Sequence, residues 1–300
     1  RSLQLTVDLG EGLFESVIEG CDELLSDPLP GQLHGIVLHL RAEALVATGG
    51  FAEAAQALDA LEHVEVRDYI RGRGRMVRAD MELWSGRPKA AVEHADELFR
   101  DDHPELAYLR FETEVVRAWA LFELGHHSEP PEGDDVTTPD AVRKDELKAI
   151  PLLDRDPAAA ARAFERLTEA WRPLSRRDEL RCLWAAGEAA RRAGDPAAAL
   201  AHLHEAERRA DELGMKPLLA RVHRSLRLLG ERRDAARTAD GGLTAREREI
   251  LVLVGSGLTN PEIARRLGTS VPTVARQIAT ASAKLGARTR AHAAALAAET

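Results

Sequence analysis

The sequence is poor in the residues that usually staple or decorate a small fold. Only Cys21 and Cys182 are cysteines among 300 residues, which excludes a disulfide scaffold and a cysteine-rich zinc site on count alone. Both sit in apolar-periodic segments and read as buried free thiols of a reducing, cytoplasmic interior. Aromatic residues make up 4%, and β-branched runs long enough for a sheet core are missing. No stretch approaches the roughly 18 consecutive apolar residues of a membrane span, so no membrane partner is expected. There is no glycine-rich loop ending in Gly-Lys-Ser/Thr. Arg71-Gly72-Arg73-Gly74-Arg75 has too few glycines for one and follows no strand pattern. The start, Arg1-Ser2-Leu3, has neither a leader nor an initiator methionine, which marks the chain as processed or as a piece of a longer protein.

Alanine and charge are what the chain has in quantity. Alanine loses no side-chain entropy in a helix and lets helices approach closely. The composition, 44% hydrophobic and 30% charged, is that of a globular protein, and the length suffices for two or three domains. An all-α fold is expected. The charge is unevenly divided. Residues 241–300 carry eight Arg and Lys against four glutamates, a net of +4, which leaves −13 for residues 1–240. The C-terminal part is thereby suited to a polyanion that the rest would repel.

Apolar periodicity predicts helices near 11–25, 32–48, 51–61, 68–85, 88–99, 104–124, 178–193 and 216–229, with a partner helix between 196 and 213. Residues 1–10 read poorly. One unit recurs: an alanine-rich helix, a short glycine turn, a second alanine-rich helix. Ala44-Leu45, Gly49 and Ala54-Ala55 form one copy; Leu83, Gly86 and Ala90-Ala91 another; Ala189-Ala190, Gly194 and Ala198-Ala199 a third. Such pairs stack into a superhelix with a concave binding face, and the pattern resembles degenerate tetratricopeptide (TPR) repeats. A TPR-like helical-repeat domain over 1–235 is the expectation, an irregular helical bundle the other arrangement such helices allow. Residues 126–140, with three prolines and five acidic side chains, are expected to form an exposed, mobile loop. His126-His127 beside Glu129, Asp134 and Asp135 has no fixed ligand spacing, so no metal is expected.

The last sixty residues carry the sharpest signal. Thr244 and Glu247 have the spacing of a capping box, as do Thr259 and Glu262 with Pro261 near the helix start. Glycine breaks follow at Gly255-Ser256-Gly257 and Gly268. Ser270 then caps a third helix whose buried side should be Val274, Ile278, Ala281 and Leu285. Two short helices joined by a tight glycine turn make a helix-turn-helix candidate.

The order of residues here resembles the LuxR-type DNA-binding domain. Leu243-Thr244-Ala245-Arg246-Glu247-Arg248-Glu249-Ile250-Leu251 is similar to that family's opening signature. Gly257-Leu258-Thr259-Asn260, Glu262-Ile263-Ala264, Leu267, Ser270, Thr273-Val274, Lys284-Leu285-Gly286 and Arg290 follow at its spacing. The resemblance implies a four-helix domain over 241–300 whose third helix, about 271–284, lies in the major groove of duplex DNA. It places Thr259, Asn260, Ser270 and Thr273 against the backbone and Arg276 on a base-facing position, with Gln277 and Lys284 completing the DNA-binding set. A fourth helix, about 289–298, is the family's usual dimerisation element, so a homodimer is implied. This copy departs from the pattern at Ala275, Gln277, Ala281-Ser282, Ala283 and His292, which removes phosphate contacts and core volume. The helical repeats over 180–230 look like those preceding this domain in large MalT-like ATP-dependent regulators, and 231–242 would be the hinge.

Nothing in the chain asks for catalysis or a cofactor. His202 and His204 do not share a helix face, and His34 and His39 are poorly spaced for a metal. The patch Arg71, Arg73, Arg75 and Arg78 reads as a wet face or an ion-pair strip, with binding of an anionic ligand or partner the lesser alternative. Trp84, Trp119, Trp171 and Trp184 read as core or inter-repeat packing or as a ligand cage, one of them lining the concave groove. The expected function is transcription regulation, with a small-molecule or protein effector on the repeats and RNA polymerase as a further partner. The competing expectation is a protein-interaction scaffold whose terminal domain no longer binds DNA.

Overall fold

A computed structural model describes residues 2–100, 104–128, 137–230, 243, 245–267, 271–287 and 289–299. The chain is all-α and divides into two compact units, Arg1–Glu231 and Arg232–Thr300. The first unit contains α1 (Ser2–Glu11), α2 (Phe14–Leu25), α3 (Gly31–Thr48), α4 (Phe51–Glu62), α5 (Asp68–Trp84) and α6 (Pro88–Arg100). A 3-10 turn, Pro104–Leu109, leads into α7 (Arg110–Glu123). There follow α8 (Thr138–Ala149), α9 (Leu152–Arg155), α10 (Pro157–Trp171), α11 (Arg176–Arg192), α12 (Pro196–Glu212) and α13 (Lys216–Leu228).

Local chemistry sets the helix ends. Gly49 stops α3 at φ 89, a left-handed backbone that glycine adopts without steric cost, and its amide donates to the Leu45 carbonyl. Asp156 and Asp195 cap α10 and α12, each accepting from an amide three residues on at 3.0 Å, with proline next in the chain. Each such cap is worth about 1 kcal/mol.

The helices sort into an inner and an outer set. Outer helices bury one stripe: Ala54, Ala57, Leu58 and Leu61 on α4, and Ala199, Leu203, Ala206 and Ala210 on α12. Inner helices are covered nearly all round; every residue of α11 from Glu179 to Ala190 is buried. Glycine permits the closest crossings. A Cβ on Gly187 would lie 2.7 Å from Leu203 Cγ, and one on Gly74 would lie 2.4 Å from Leu61 Cδ2.

The array closes on itself. α13 packs on α3, and α1 packs on both α3 and α11. Arg177 of α11 bridges to Asp80 of α5 at 2.5 Å. Arg221 of α13 donates to the Leu83 carbonyl, pairs with Glu123 and lies 4.5 Å from the Trp84 ring centre. The open concave face expected from a stacked array is therefore largely filled by inner helices that face one another.

Several expectations change for physical reasons. Residues 2–11 are helical because Leu5 is buried by tertiary packing, which local periodicity cannot show. α8, α9 and α10 occupy a stretch that the sequence pattern left unassigned. Of the predicted 126–140 loop, residues 129–136 lie outside the described residues, but its end is ordered. Thr137 caps α8, and Asp140 is buried and paired with Arg143 at 3.1 Å. The arginines of α5 form an ion-pair strip rather than a wet face: Arg71 meets Glu62, Arg78 meets Asp59, and Arg73 meets Glu43 and Glu112. Among the described residues no group of His, Cys, Asp and Glu is placed to hold a metal. His127 instead lies 3.7 Å from Asp154. Among the described residues no helix is long and apolar enough to cross a membrane. Both cysteines are buried and free, and burial pushes the Cys21 thiol up to about 12.

Glu146 is the hub of the buried polar core. Its carboxylate accepts from the Trp119 indole at 2.9 Å, the Trp171 indole at 3.2 Å, and two Arg181 nitrogens at 2.8 and 2.7 Å. Trp119 also stacks near Trp184, whose indole donates to Ser225. Glu146→Ala removes the shared acceptor of three buried donors. It is expected to lower unfolding free energy by about 3–5 kcal/mol, measured by urea titration; a loss within experimental error would show that the hub is not structural.

A second prediction concerns pH. Burial, aided by the neighbouring Arg73 charge, lowers His39 from 6.5 to about 3, and its Nδ1 is sealed from solvent without a hydrogen-bond partner among the described residues. Below pH 6.5 the unfolded chain takes up a proton that the folded chain refuses until about pH 3, so stability falls as pH falls. The loss at pH 5 is at most about 2 kcal/mol, because part of the residue still meets solvent. At lower pH, Glu179 and Glu188 add to it. Burial opposes their ionisation, but their arginine partners outweigh it and hold both carboxyls below the usual range. His39→Gln should flatten the pH 5 to 6.5 part of the profile; an unchanged slope would remove His39 as its source.

Candidate nucleic-acid interface

The second unit holds α14 (Ala245–Gly255), α15 (Asn260–Arg266), α16 (Val271–Lys284) and α17 (Arg290–Glu299). Its core is small. Ile250 and Val254 of α14 meet Ile263 and Ala264 of α15, Val274 and Ile278 of α16, and Ala294 of α17. A second cluster joins Leu243 and Leu251 to Ala281, Ala293 and Ala297. On α16 the buried positions 274, 278 and 281 form one stripe, as helical spacing requires. That stripe fixes which side of α16 faces outward.

Polar contacts lock this arrangement. Glu247 of α14 is 6% exposed, and Lys284 at the end of α16 reaches it at 2.8 Å. Arg248 donates to the Ala297 carbonyl near the end of α17 at 3.2 Å, where the negative end of the helix dipole favours a cation. Arg290, at the start of α17, donates to Asn260 Oδ1 at 2.9 Å and to the Leu258 carbonyl. One arginine thus ties the fourth helix to the turn before α15.

Thr259 begins α15 with the expected capping box. The Glu262 carboxylate accepts from the Thr259 amide at 2.7 Å and from its hydroxyl at 2.6 Å. These bonds hold the Glu262 carboxyl below the usual range. At the other end of α15, Arg265 and Arg266 are exposed.

The outward side of α16 is narrow. Ala275, Arg276, Ala279, Thr280 and Ala283 are exposed along it. Thr280 turns its hydroxyl back to the Arg276 carbonyl at 3.0 Å, so its donor is used and it offers outward a methyl group and an acceptor oxygen. Arg276 stands alone as the long side chain of this face and has no ion-pair partner among the described residues. A helix lined by methyl groups approaches a groove floor more closely than one lined by long side chains. A single guanidinium on it can fork onto guanine O6 and N7.

The seven predicted residues separate. Thr259 and Asn260 sit together at the start of α15, and Asn260 has its carbonyl oxygen already taken by Arg290, leaving its amide to donate outward. Arg276 is on the exposed face. Gln277, next to it, is half-buried, and its Oε1 is sealed in without a hydrogen-bond partner among the described residues. Lys284 is spent on Glu247. Ser270 lies outside the described residues, as does Thr244, and Thr273 is on α16 with its side chain outside them. Sequence reasoning missed the clamp made by Arg290 and the exposed pair Arg265 and Arg266. The run of two arginines before Leu267 was the available signal for that pair.

Lys284 allows a direct discrimination. Lys284→Met removes this cation from the buried Glu247 and is expected to cost about 1–3 kcal/mol in the stability of the unit. The double change with Glu247→Leu should recover most of it, as read by thermal melts of the C-terminal helices. Unchanged stability in the single variant would return Lys284 to the set of free cations.

The chain was compared with known families and proteins. The model of the family described as bacterial regulatory proteins, luxR family, matches residues 242–297. No curated protein matches the chain, and no solved structure does. Residues 242–297 are a LuxR-type helix-turn-helix domain.

Proposed function

We propose that the chain is a transcription regulator that binds duplex DNA through α16, under the control of an effector bound by the N-terminal unit. The observation that carries this reading is the outward face of α16, with Arg276 unpaired among small side chains inside a LuxR-type domain. In this reading α16 enters the major groove with Arg276 toward a base edge. The start of α15 lies on the strand, where the Thr259 region, the outward amide of Asn260 and the unpaired helix amides suit phosphate. Arg265 and Arg266 supply further charge.

α17 serves as the contact of a homodimer, each copy reading one half-site in the cytoplasm. RNA polymerase is the partner through which regulation is exerted. The alternating inner and outer helices with glycine turns support a TPR-like unit, similar to the helical part of MalT-like regulators.

Retardation of duplex fragments across a salt series tests the function. Each phosphate neutralised contributes about −0.9 to the slope of log K against log salt, so affinity should fall steeply. Arg276→Ala should cost about 1–3 kcal/mol at one base position and leave the salt slope nearly unchanged. Absence of retardation at low salt would instead favour the scaffold reading.

A further inference from the structure

The first unit contains a cavity of about 230 Å³ where α1, α3, α5, α7, α8 and α11 converge. Four arginines and four carboxylates line it. They are not evenly mixed. Around Arg73 stand Glu112 at 2.7 Å, Glu43 at 3.3 Å and, nearby, Asp80. Around Asp178 stand Arg181, Arg143 and Arg177. One part of the wall is rich in carboxylate, the adjoining part in guanidinium.

The hydrogen bonds of this wall are not all used. Arg177 is buried to 14% exposure and gives a single hydrogen bond, to Asp80 at 2.5 Å. A guanidinium has five N–H groups, so most of those on Arg177 have no partner among the described residues. Glu43 accepts only through Oε2, in a long contact with Arg73. Burial, offset only in part by Arg73, pushes the Glu43 carboxyl up, as expected of a carboxylate short of donors. Asp178 behaves oppositely. Burial opposes its ionisation, but Arg181, Arg143 and Arg177 outweigh that and hold it below the usual range. Arg177 and Glu43 both line the cavity, so a solute there that carries both charges would satisfy both sides at once.

We propose that this cavity is the effector site of the N-terminal unit and takes a small zwitterion, an α-amino acid or a molecule of that size. Its carboxylate is held by the unspent N–H groups of Arg177, and its ammonium lies against Glu43. Met76, Val115 and Val116 receive a short apolar side chain, and Leu9 and Gly10 of α1 close one side. The volume lies just below the ~300–1,000 Å³ usual for ligand pockets, which excludes nucleotides and long peptides. Calling the ligand an effector rests on the proposed regulatory function; the binding itself does not.

The test uses the full chain, with the free proteinogenic amino acids as probes, each beside its N-acetyl and its carboxamide form. Melting temperature is read at millimolar probe, and affinity by calorimetry. At least one free amino acid is expected to raise the melting temperature. Blocking either charge should weaken its binding about tenfold or more. Glu43→Gln, nearly isosteric, should weaken it similarly, and Arg177→Gln should abolish it. If Arg177→Gln does not fold, Arg177→Lys, which keeps the charge but loses the fork, replaces it with the same expectation of weakening. No stabilisation by any free amino acid, or equal binding of the blocked forms, overturns the proposal. Duplex retardation is measured on the same preparations. Amino-acid binding without retardation supports the site and removes only its regulatory role.

Discussion

A carboxylate as buried as that of Glu247 is tolerable only with a cation at hand, and Lys284 provides one from the far end of α16. The ion pair, together with the stripe Val274, Ile278 and Ala281, fixes the roll of that helix. Once the roll is fixed, Arg276 faces outward and Gln277 turns partly in. The outward side of α16 is thus defined by the buried stripe and the ion pair on its other side. Arg290 extends the same logic by pinning the turn ahead of α15 through Asn260 and Leu258.

The first unit repeats this constraint at larger scale. Its inner helices carry buried charges that are paired partly within a helix and partly between helices. Glu146 collects two indoles and an arginine, Glu179 meets Arg172, Arg176 and Arg209, and Asp80 meets Arg177. Such pairs cost desolvation, and their return is specificity of arrangement more than stability. They join segments as much as 97 residues apart, as Arg177 of α11 to Asp80 of α5.

Much of this was legible in the amino-acid order. Glycine turns between alanine-rich helices, the proline-led helix starts and the Thr259 to Glu262 box are local features, and each acts within a few residues. The role of Lys284 was not legible, because its partner lies 37 residues away and a lysine at the end of a recognition helix has the same letters whether it meets phosphate or a buried carboxylate. Polar helices such as α11 pose the same difficulty. Their charges suggest a solvated face, yet α11 is buried, its charges paired both within the helix, as Glu188 with Arg191 and Arg192, and far along the chain, as Arg177 with Asp80. α1 and α8 to α10 depend on cover from neighbours, and α10 owes its start to a single aspartate cap.

The central claim is that the outward side of α16 and the start of α15 meet duplex DNA. Hydrogen exchange of the full chain, with and without a duplex, tests it most directly. Amides over 259–267 and 271–280 should slow on adding the duplex, while those of α3 to α7 stay unchanged. Slowing confined to the N-terminal unit, or none in α16 under conditions where the duplex is bound, would contradict the account.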